Sequence, residues 1–325
     1  MIQVGIAGSA GYTAGELIRL LLQHPKAVIN FAYSTSNAGN LISSVHDDLI
    51  GETDLTFTNE VNPNVNVVFL CLGHGNSKKF LEEHTFAPHT KVIDLSNDFR
   101  LEKDALFMGR DFVYGLPEFQ KAAIKEASNI ANPGCFATAI QLALLPLAKE
   151  KKLTHEVHIH AVTGSTGAGQ SLSATSHFTW RNNNFSYYKP FTHQHLGEIS
   201  ETLTSLQGTL DTAINFMPYR GDFTRGIFVT AYTNFDGSLE DAKAIYKNYF
   251  KNAPFTTVSD TELNLKQVVN TNKCLVHLHK HENKLLITSC IDNLLKGASG
   301  QAIHNMNLMF GLEETTGLHI KASYF

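Results

Sequence analysis

Charge of either sign is scarce in this chain: 26 Lys and Arg stand against 30 Asp and Glu, 17% of 325 residues, for a formal net charge of -4. Without a broad basic field, nucleic acid and anionic membrane surfaces are not expected as partners. Long apolar runs are missing too. The longest are strand-length, well short of the roughly 18 to 20 residues that a membrane-spanning helix needs, so no membrane association is expected. The N-terminal MIQVGIAG lacks the charged stub, apolar stretch and small-residue cleavage site of a secretory signal, and the expected location is cytoplasmic. Cysteine is rare: Cys71, Cys135, Cys274 and Cys290 are widely spaced and form no CxxC pair, which argues against a disulfide framework or a zinc knuckle. Three of them sit in VVFLCLG, NKCLVHLH and LLITSCID, where a cysteine behaves as a small buried hydrophobe. Cys135 sits in neither kind of surrounding.

What is present suggests two domains, since 43% hydrophobic content over this length more often divides than forms one core. Ile2 to Ala7 reads as a strand, followed by a glycine turn and a helix whose Leu17, Leu20, Leu21 and Leu22 keep helical spacing up to Pro25. Further strands are expected at Ala27 to Tyr33, Val65 to Leu72 and Lys91 to Leu95, with a short helix and strand over Ala122 to Ala131. This alternation predicts an α/β fold with a Rossmann-type, doubly wound parallel sheet. Phe136 to Lys149 reads as a buried helix. Beyond Lys152 the texture changes to EVHIHAV, DTAINFMPY, RGIFVTAYTNF, CLVHLHKH and KLLITSCI, the alternating strands of a mixed sheet, interrupted by a helix over Ser238 to Phe250. The domain change is placed near residues 134 to 153. A last helix, Gly297 to Phe310, is long enough to return to the first domain.

Gly8, Gly11 and Gly15 lie where a dinucleotide fold needs glycine, because helix amides must approach a pyrophosphate without side chains between. Their GxxGxxxG spacing departs from GxGxxG. After the second strand, Ser34, Thr35, Ser36 and Asn37 replace the acidic residue that commonly meets the ribose of NAD, and hydroxyls suit the 2′-phosphate of NADP better. Cys135 follows Asn132, Pro133 and Gly134 and opens a helix, where amides and dipole favour a thiolate and can stabilise an oxyanion. His193 and His195 flank Gln194 ahead of a helical stretch, and either could serve acid-base steps. Arg100, Arg220, Arg225 and Lys296 stand near turns and could hold a phosphate or carboxylate. His277, His279 and His281 alternate along one strand, as do His158 and His160 on another, but no carboxylate or cysteine joins them at ligand spacing. They are read as a solvated face, and no metal is expected.

The segments GSAGYTAGEL, IDLSNDFRL, VYGLPE, NPGCFAT, GSTGAGQS, HQHLGEI, RGIFVTAY and KGASGQAIHNMNLMFGL occur in this order. In them the chain resembles, over nearly its whole length, the N-acetyl-gamma-glutamyl-phosphate reductase family of the aspartate-semialdehyde dehydrogenase-like group. It departs from the family pattern in lacking the usual Arg after the second strand, in GAGQ for GAGR, and in HQHLGEI for HRHxPEI. The resemblance implies an NADP-binding domain over 1–134 and 298–325, and an α+β catalytic and dimerisation domain with a mixed sheet over 135–297. It implies that Cys135 is the nucleophile, that His195, with His193 as the alternative, is its acid-base partner, and that the chain is a homodimer or homotetramer. The implied cofactor residues are Gly8, Ser9, Ala10, Gly11, Tyr12, Thr13, Gly15, Ser34, Thr35, Ser36, Gly73, Asn293 and Gly297. Those implied for the substrate are Arg100, Asn132, Gln170, Glu198, Arg220 and Lys296. The reaction so implied is NADPH-dependent reduction of N-acetyl-gamma-glutamyl phosphate through a thioester, with the N-succinyl analogue a possible substrate. Rival readings are a reductase of another acyl phosphate, a Cys-His hydrolase needing no nucleotide, and a silent nucleotide-binding regulator.

Overall fold

A computed structural model describes all of residues 1–325. Its internal contacts divide the chain into two compact units: Met1–Gly134 with Ala298–His319, and Cys135–Gly297 with Ile320–Phe325. The last six residues therefore leave the first unit, with which the sequence groups them. Ser323 explains part of this, its amide donating to the Val269 carbonyl at 3.1 Å.

In the first unit, β1 (Ile2–Ala7) leads through the glycine turn into α1 (Tyr12–Leu22) and back to β2 (Ala27–Tyr33). Then follow β3 (Val67–Leu70), α2 (Asn76–Glu83), β4 (Lys91–Asp94), the hairpin β5 (Leu106–Phe107) and β6 (Arg110–Tyr114), α3 (Pro117–Glu126) and β7 (Asn129–Ala131). The sheet order is β2-β1-β3-β4-β7-β6-β5, parallel throughout except for the β5–β6 edge. All four residues of β3 are buried, as expected for a strand covered on both faces. The order turns back between β1 and β3, and the glycine turn lies at the carboxyl end of β1, the switch point where open parallel sheets hold ligands. Three elements escaped the sequence reading. The β5–β6 hairpin is short and half-exposed, and α2 buries only Ser77, Phe80 and Leu81. The helix expected from Ala122 starts earlier, at Pro117, whose fixed φ suits a first turn, and it kinks at Gln120.

The second unit opens with α4 (Cys135–Lys149), buried at every position from Phe136 to Ala148, as befits a helix apolar all round. After it come β8 (Val157–Thr163), α5 (Phe178–Arg181), β9 (Ser186–Tyr187), α6 (His195–Gln207), β10 (Ile214–Arg220) and β11 (Ile227–Asn234). The unit closes with α7 (Leu239–Phe250), β12 (Thr256–Ser259), β13 (Cys274–His281) and β14 (Lys284–Ile291). The sheet is mixed, in the order β12-β13-β14-β11-β8-β10-β9. Its inner face, Val157, Ile159, Ala161, Val229, Ala231, Val276 and Ile287, packs under α4, α6 and α7. The other face carries the alternate residues, among them His158 stacked on Tyr232, with ring centres 5.0 Å apart, and His160 on Tyr219 at 5.8 Å.

The chain then enters a π-type turn, Leu295–Ser299, where the sequence suggests plain helix. It continues as α8 (Gly300–Met309), which belongs to the first unit and packs on α1 and α3. A carboxylate fastens this return: Glu314 meets Lys121 of α3 and His304 of α8, both at 2.8 Å. Burial pushes the Glu314 carboxyl up, but the hydrogen bonds and charges of His304 and Lys121 outweigh it and hold it at about 2. A carboxyl depressed in this way stabilises the fold fully above its ordinary 4.5 and loses that contribution as the pH falls towards 2. Glu314→Gln is therefore expected to lower Tm at neutral pH and to flatten the fall of Tm with acid, read by thermal melts across pH. An acid limb as steep as wild type would contradict this.

Candidate active site

In the first unit the turn after β1 is tightly specified. Gly8 has φ +75°, and a Cβ there would come within 2.8 Å of the Cys71 carbonyl oxygen, so glycine is required twice over. The Gly8 and Ser9 amides and the Ser9 hydroxyl all donate to the Tyr33 carbonyl, which locks the turn to β2. Gly15 leaves room for His46, whose Nε2 meets the Ser9 carbonyl at 2.8 Å. Gly11 caps α1 with no side-chain hydrogen bond, and the space where its Cβ would stand is empty for 4 Å. An open helix N-terminus of this kind fits a dinucleotide pyrophosphate. Ala10 and Tyr12 flank Gly11, and the Thr13 carbonyl accepts the Ser299 hydroxyl at 2.7 Å. Past β2, Ser34, Ser36 and Asn37 form one polar cluster, with Thr35 exposed between them.

Below the carboxyl end of β4, Asp94 is fully buried and accepts the Ser77 hydroxyl at 2.5 Å and the Ser96 hydroxyl at 2.7 Å. Burial raises its pKa to about 6 against those hydrogen bonds and the Arg100 charge. Asp98 caps α2 by accepting from the amides of Gly75, Ser77 and Lys78, and Gly73 accepts the Asn76 amide one turn earlier. Arg100 donates to the carbonyls of Asn132 and Leu95, at 2.8 and 3.0 Å. The Asn132 side chain is held by Asn305 and by the Ala298 carbonyl. Arg100 and Asn132 are thus brought together.

In the second unit Cys135 is the first residue of α4 and is half-buried. Gly297 lies against it: a Cβ at 297 would fall 2.9 Å from the Cys135 Cβ. The turn carrying Gly297 is built on Asp292, a buried carboxylate that accepts from the amides of Asn270, Leu294 and Leu295 and pairs with Arg225 through two hydrogen bonds. The Gly297 amide donates to the Asp292 carbonyl at 2.9 Å. Asn293 is occupied by the Gly226 amide and the Thr166 hydroxyl, and Lys296 is fully buried with its Nζ 5.8 Å from the centre of the Phe255 ring. Burial raises the thiols of Cys71 and Cys290 well above the ordinary range, with the Asp94 charge adding at Cys71 and Cys274 adding at Cys290.

The two histidines have separate surroundings. His193 accepts the His195 amide on its Nδ1 at 3.2 Å, capping α6 in place of a side chain at Gln194. Burial, and then the Lys189 charge, depress its pKa to about 4, so it is neutral at physiological pH. His195 begins α6 with its Nε2 3.9 Å from Glu198, both side chains buried. Gln141 of α4 donates to the Glu198 carbonyl, which binds α6 to the helix that Cys135 opens. Gln170 is exposed on the loop after Ser165–Ala168. Arg220 closes β10 and stacks on Tyr188, with the guanidinium carbon 4.8 Å from the ring centre. No group of three or more His, Cys, Asp or Glu could hold a metal ion.

Residues 3–127 match a family described as semialdehyde dehydrogenase, NAD binding domain, and residues 135–293 match semialdehyde dehydrogenase, dimerisation domain. Proteins described as N-acetyl-gamma-glutamyl-phosphate reductase from Flavobacterium johnsoniae and Christiangramia forsetii are 66% and 61% identical over 325 residues, covering 100% of both chains in each case. The chain belongs to the N-acetyl-gamma-glutamyl-phosphate reductase family. The fold is shared more widely. An aspartate semialdehyde dehydrogenase II from Vibrio cholerae superposes with a TM-score of 0.71 over 96% of this chain and 99% of its own, at 14% identity. The Candida albicans aspartate semialdehyde dehydrogenase, solved with NADP, does so at 0.69 over 95% and 99%, at 15% identity.

Three features of this member of the reductase family escaped the sequence reading: the Asp292–Arg225 pair under Gly297, the buried Asp94 network, and Tyr188 with Arg181 beside Arg220. Isolated Asp, Tyr and Arg residues carry no spacing signal, and only folding gives them partners. Arg225, considered as an anion holder, is bound to Asp292 instead. Because a methyl at 297 would be forced against the Cys135 backbone and Cβ, Gly297→Ala is expected to displace the sulfur, lower kcat about tenfold or more in a steady-state assay, and lower Tm as well. Wild-type kcat in that variant would show the contact to be unimportant for chemistry.

Proposed function

We propose that this protein reduces N-acetyl-gamma-glutamyl phosphate to N-acetylglutamate semialdehyde and phosphate, with NADPH as cofactor and Cys135 as nucleophile. The single observation that carries the reading is Cys135 at the start of a buried helix with Gly297 pressed against it, in a chain 66% identical end to end to a reductase of that name. Gly8 to Gly15, with Gly73, would hold the pyrophosphate side of the dinucleotide, and Ser34, Thr35 and Ser36 the 2′-phosphate side. When bound, the cofactor supplies hydride to the acyl carbon.

The remaining steps belong to the chain's own residues. Cys135 attacks the gamma carbonyl as thiolate, phosphate leaves, and a thioester remains on sulfur. The first amides of α4 stabilise the tetrahedral oxyanion before and after reduction. After reduction, the carbon–sulfur bond breaks and the semialdehyde departs. His195 carries the proton to and from the reacting groups, with Glu198 holding the ring. His193, neutral and engaged with the His195 amide, sets where α6 begins. Arg100, Asn132, Gln170, Arg220 and Lys296 remain the candidates for holding substrate. The matched dimerisation domain and the open sheet face bearing Tyr232, His158 and His160 support a homo-oligomer paired through that face. We place the enzyme in the cytoplasm. No helix is long and apolar enough to cross a membrane.

The reverse reaction provides the test: phosphate-dependent formation of NADPH from NADP and N-acetylglutamate semialdehyde, alongside the N-succinyl analogue and aspartate semialdehyde. Turnover is expected with an N-acylglutamate semialdehyde and to fall about a thousandfold or more in Cys135→Ser. Preference for aspartate semialdehyde would overturn the substrate, and rapid ester cleavage without nucleotide would overturn the reaction.

A further inference from the structure

Three arginines cluster around the end of β10, and the fold deals with each differently. Arg225 is neutralised by the buried carboxylate of Asp292. Arg181, also buried, gives its hydrogens to backbone: to the carbonyls of Thr175 at 3.1 and 3.3 Å, of Asn184 at 3.3 Å, and of Arg220 at 2.8 Å. Arg220 alone has neither a carboxylate nor a set of carbonyls, and its buried Nε has no hydrogen-bond partner. A guanidinium left in this state at the end of a strand is ready to receive an oxyanion.

Its orientation is nevertheless fixed. The Tyr188 ring lies under the guanidinium, its centre 4.8 Å from the guanidinium carbon. The Tyr188 amide donates to the Pro218 carbonyl at 3.1 Å, and β9 pairs Ser186 with Arg220 and Tyr187 with Tyr219. Arg181 holds the Arg220 carbonyl from the other side. The Tyr188 ring also meets His193 edge-on, with ring centres 5.8 Å apart. Burial raises its phenol to about 12, the Cys135 sulfur adding and Arg220 opposing, so the ring stays neutral and lies within electrostatic reach of the nucleophile.

We propose that Tyr188 is a positioning residue: stacked under Arg220, it presents that guanidinium to an oxyanion of the substrate beside Cys135. The inference rests on the acyl-phosphate reductase reading. The oxyanion is either the phosphate or the amino-acid carboxylate, and the reverse reaction separates the two because phosphate and semialdehyde have independent KM values. Tyr188→Leu is expected to raise one of these KM values about tenfold, the effect of losing a well-aimed charge-assisted hydrogen bond, with kcat within about twofold. Tyr188→Phe keeps the ring and should restore most of the loss, and Arg220→Ala should raise the same KM at least as far. A rise in the phosphate KM assigns the site to phosphate, and a rise in the semialdehyde KM assigns it to the carboxylate. The proposal is overturned if Tyr188→Leu moves neither KM, if it lowers only kcat, or if Arg220→Ala leaves both KM values at wild type. Absence of phosphate-dependent NADP reduction in wild type would instead overturn the underlying function.

Discussion

The second unit is organised around one close approach, that of a glycine backbone to the Cβ of Cys135. A side chain at 297 could not be accommodated without a shift, because its first carbon would stand 2.9 Å from the Cβ of Cys135. The approach is maintained from below by Asp292, whose carboxylate gathers three amides and the Arg225 guanidinium while its carbonyl takes the Gly297 amide. A buried carboxylate is tolerable there only because each lone pair has a donor. The turn is held by charge, the sulfur is held by the turn, and α4 supplies the amides in front of it.

Around that centre, polar side chains differ in what the fold asks of them. His193 spends a ring nitrogen on the amide that starts α6 and is kept neutral by burial, whereas His195 stands beside a carboxylate. Arg181 and Arg225 are fully engaged and Arg220 is not. The first unit follows the same division: Asp98 caps α2, while α1 is left uncapped at Gly11. Two helix starts in one sheet thus differ in what they can accept, since only an unfilled one has amides to offer an anion.

The parallel sheet was legible because β1, β2, β3 and β4 are apolar runs broken by glycine or polar turns, and the buried α4 because it is apolar on every side. Edge elements were not. β12, TTVS, is only four residues long, too short a run to stand out, and is fixed by pairing with β13, and β5, two residues long, is defined only by its pairing with β6. At the site, Cys135 and the glycine turn carried a positional signal, strand then turn then helix, which a sequence displays. The distinction between His193 and His195 did not, because it depends on which amide an imidazole meets. Tyr188 and Asp292 were invisible for the same reason: their partners lie tens of residues away along the chain.

The central claim is that chemistry passes through a covalent bond to the Cys135 sulfur. Mixing the enzyme with N-acetylglutamate semialdehyde and NADP without phosphate, quenching in acid and mapping peptides by mass spectrometry tests it directly. The account predicts a burst of one NADPH per active site and an acyl group confined to the peptide containing Cys135. NADPH formation with no adduct, or with the acyl group on Cys71, Cys274 or Cys290, would contradict it.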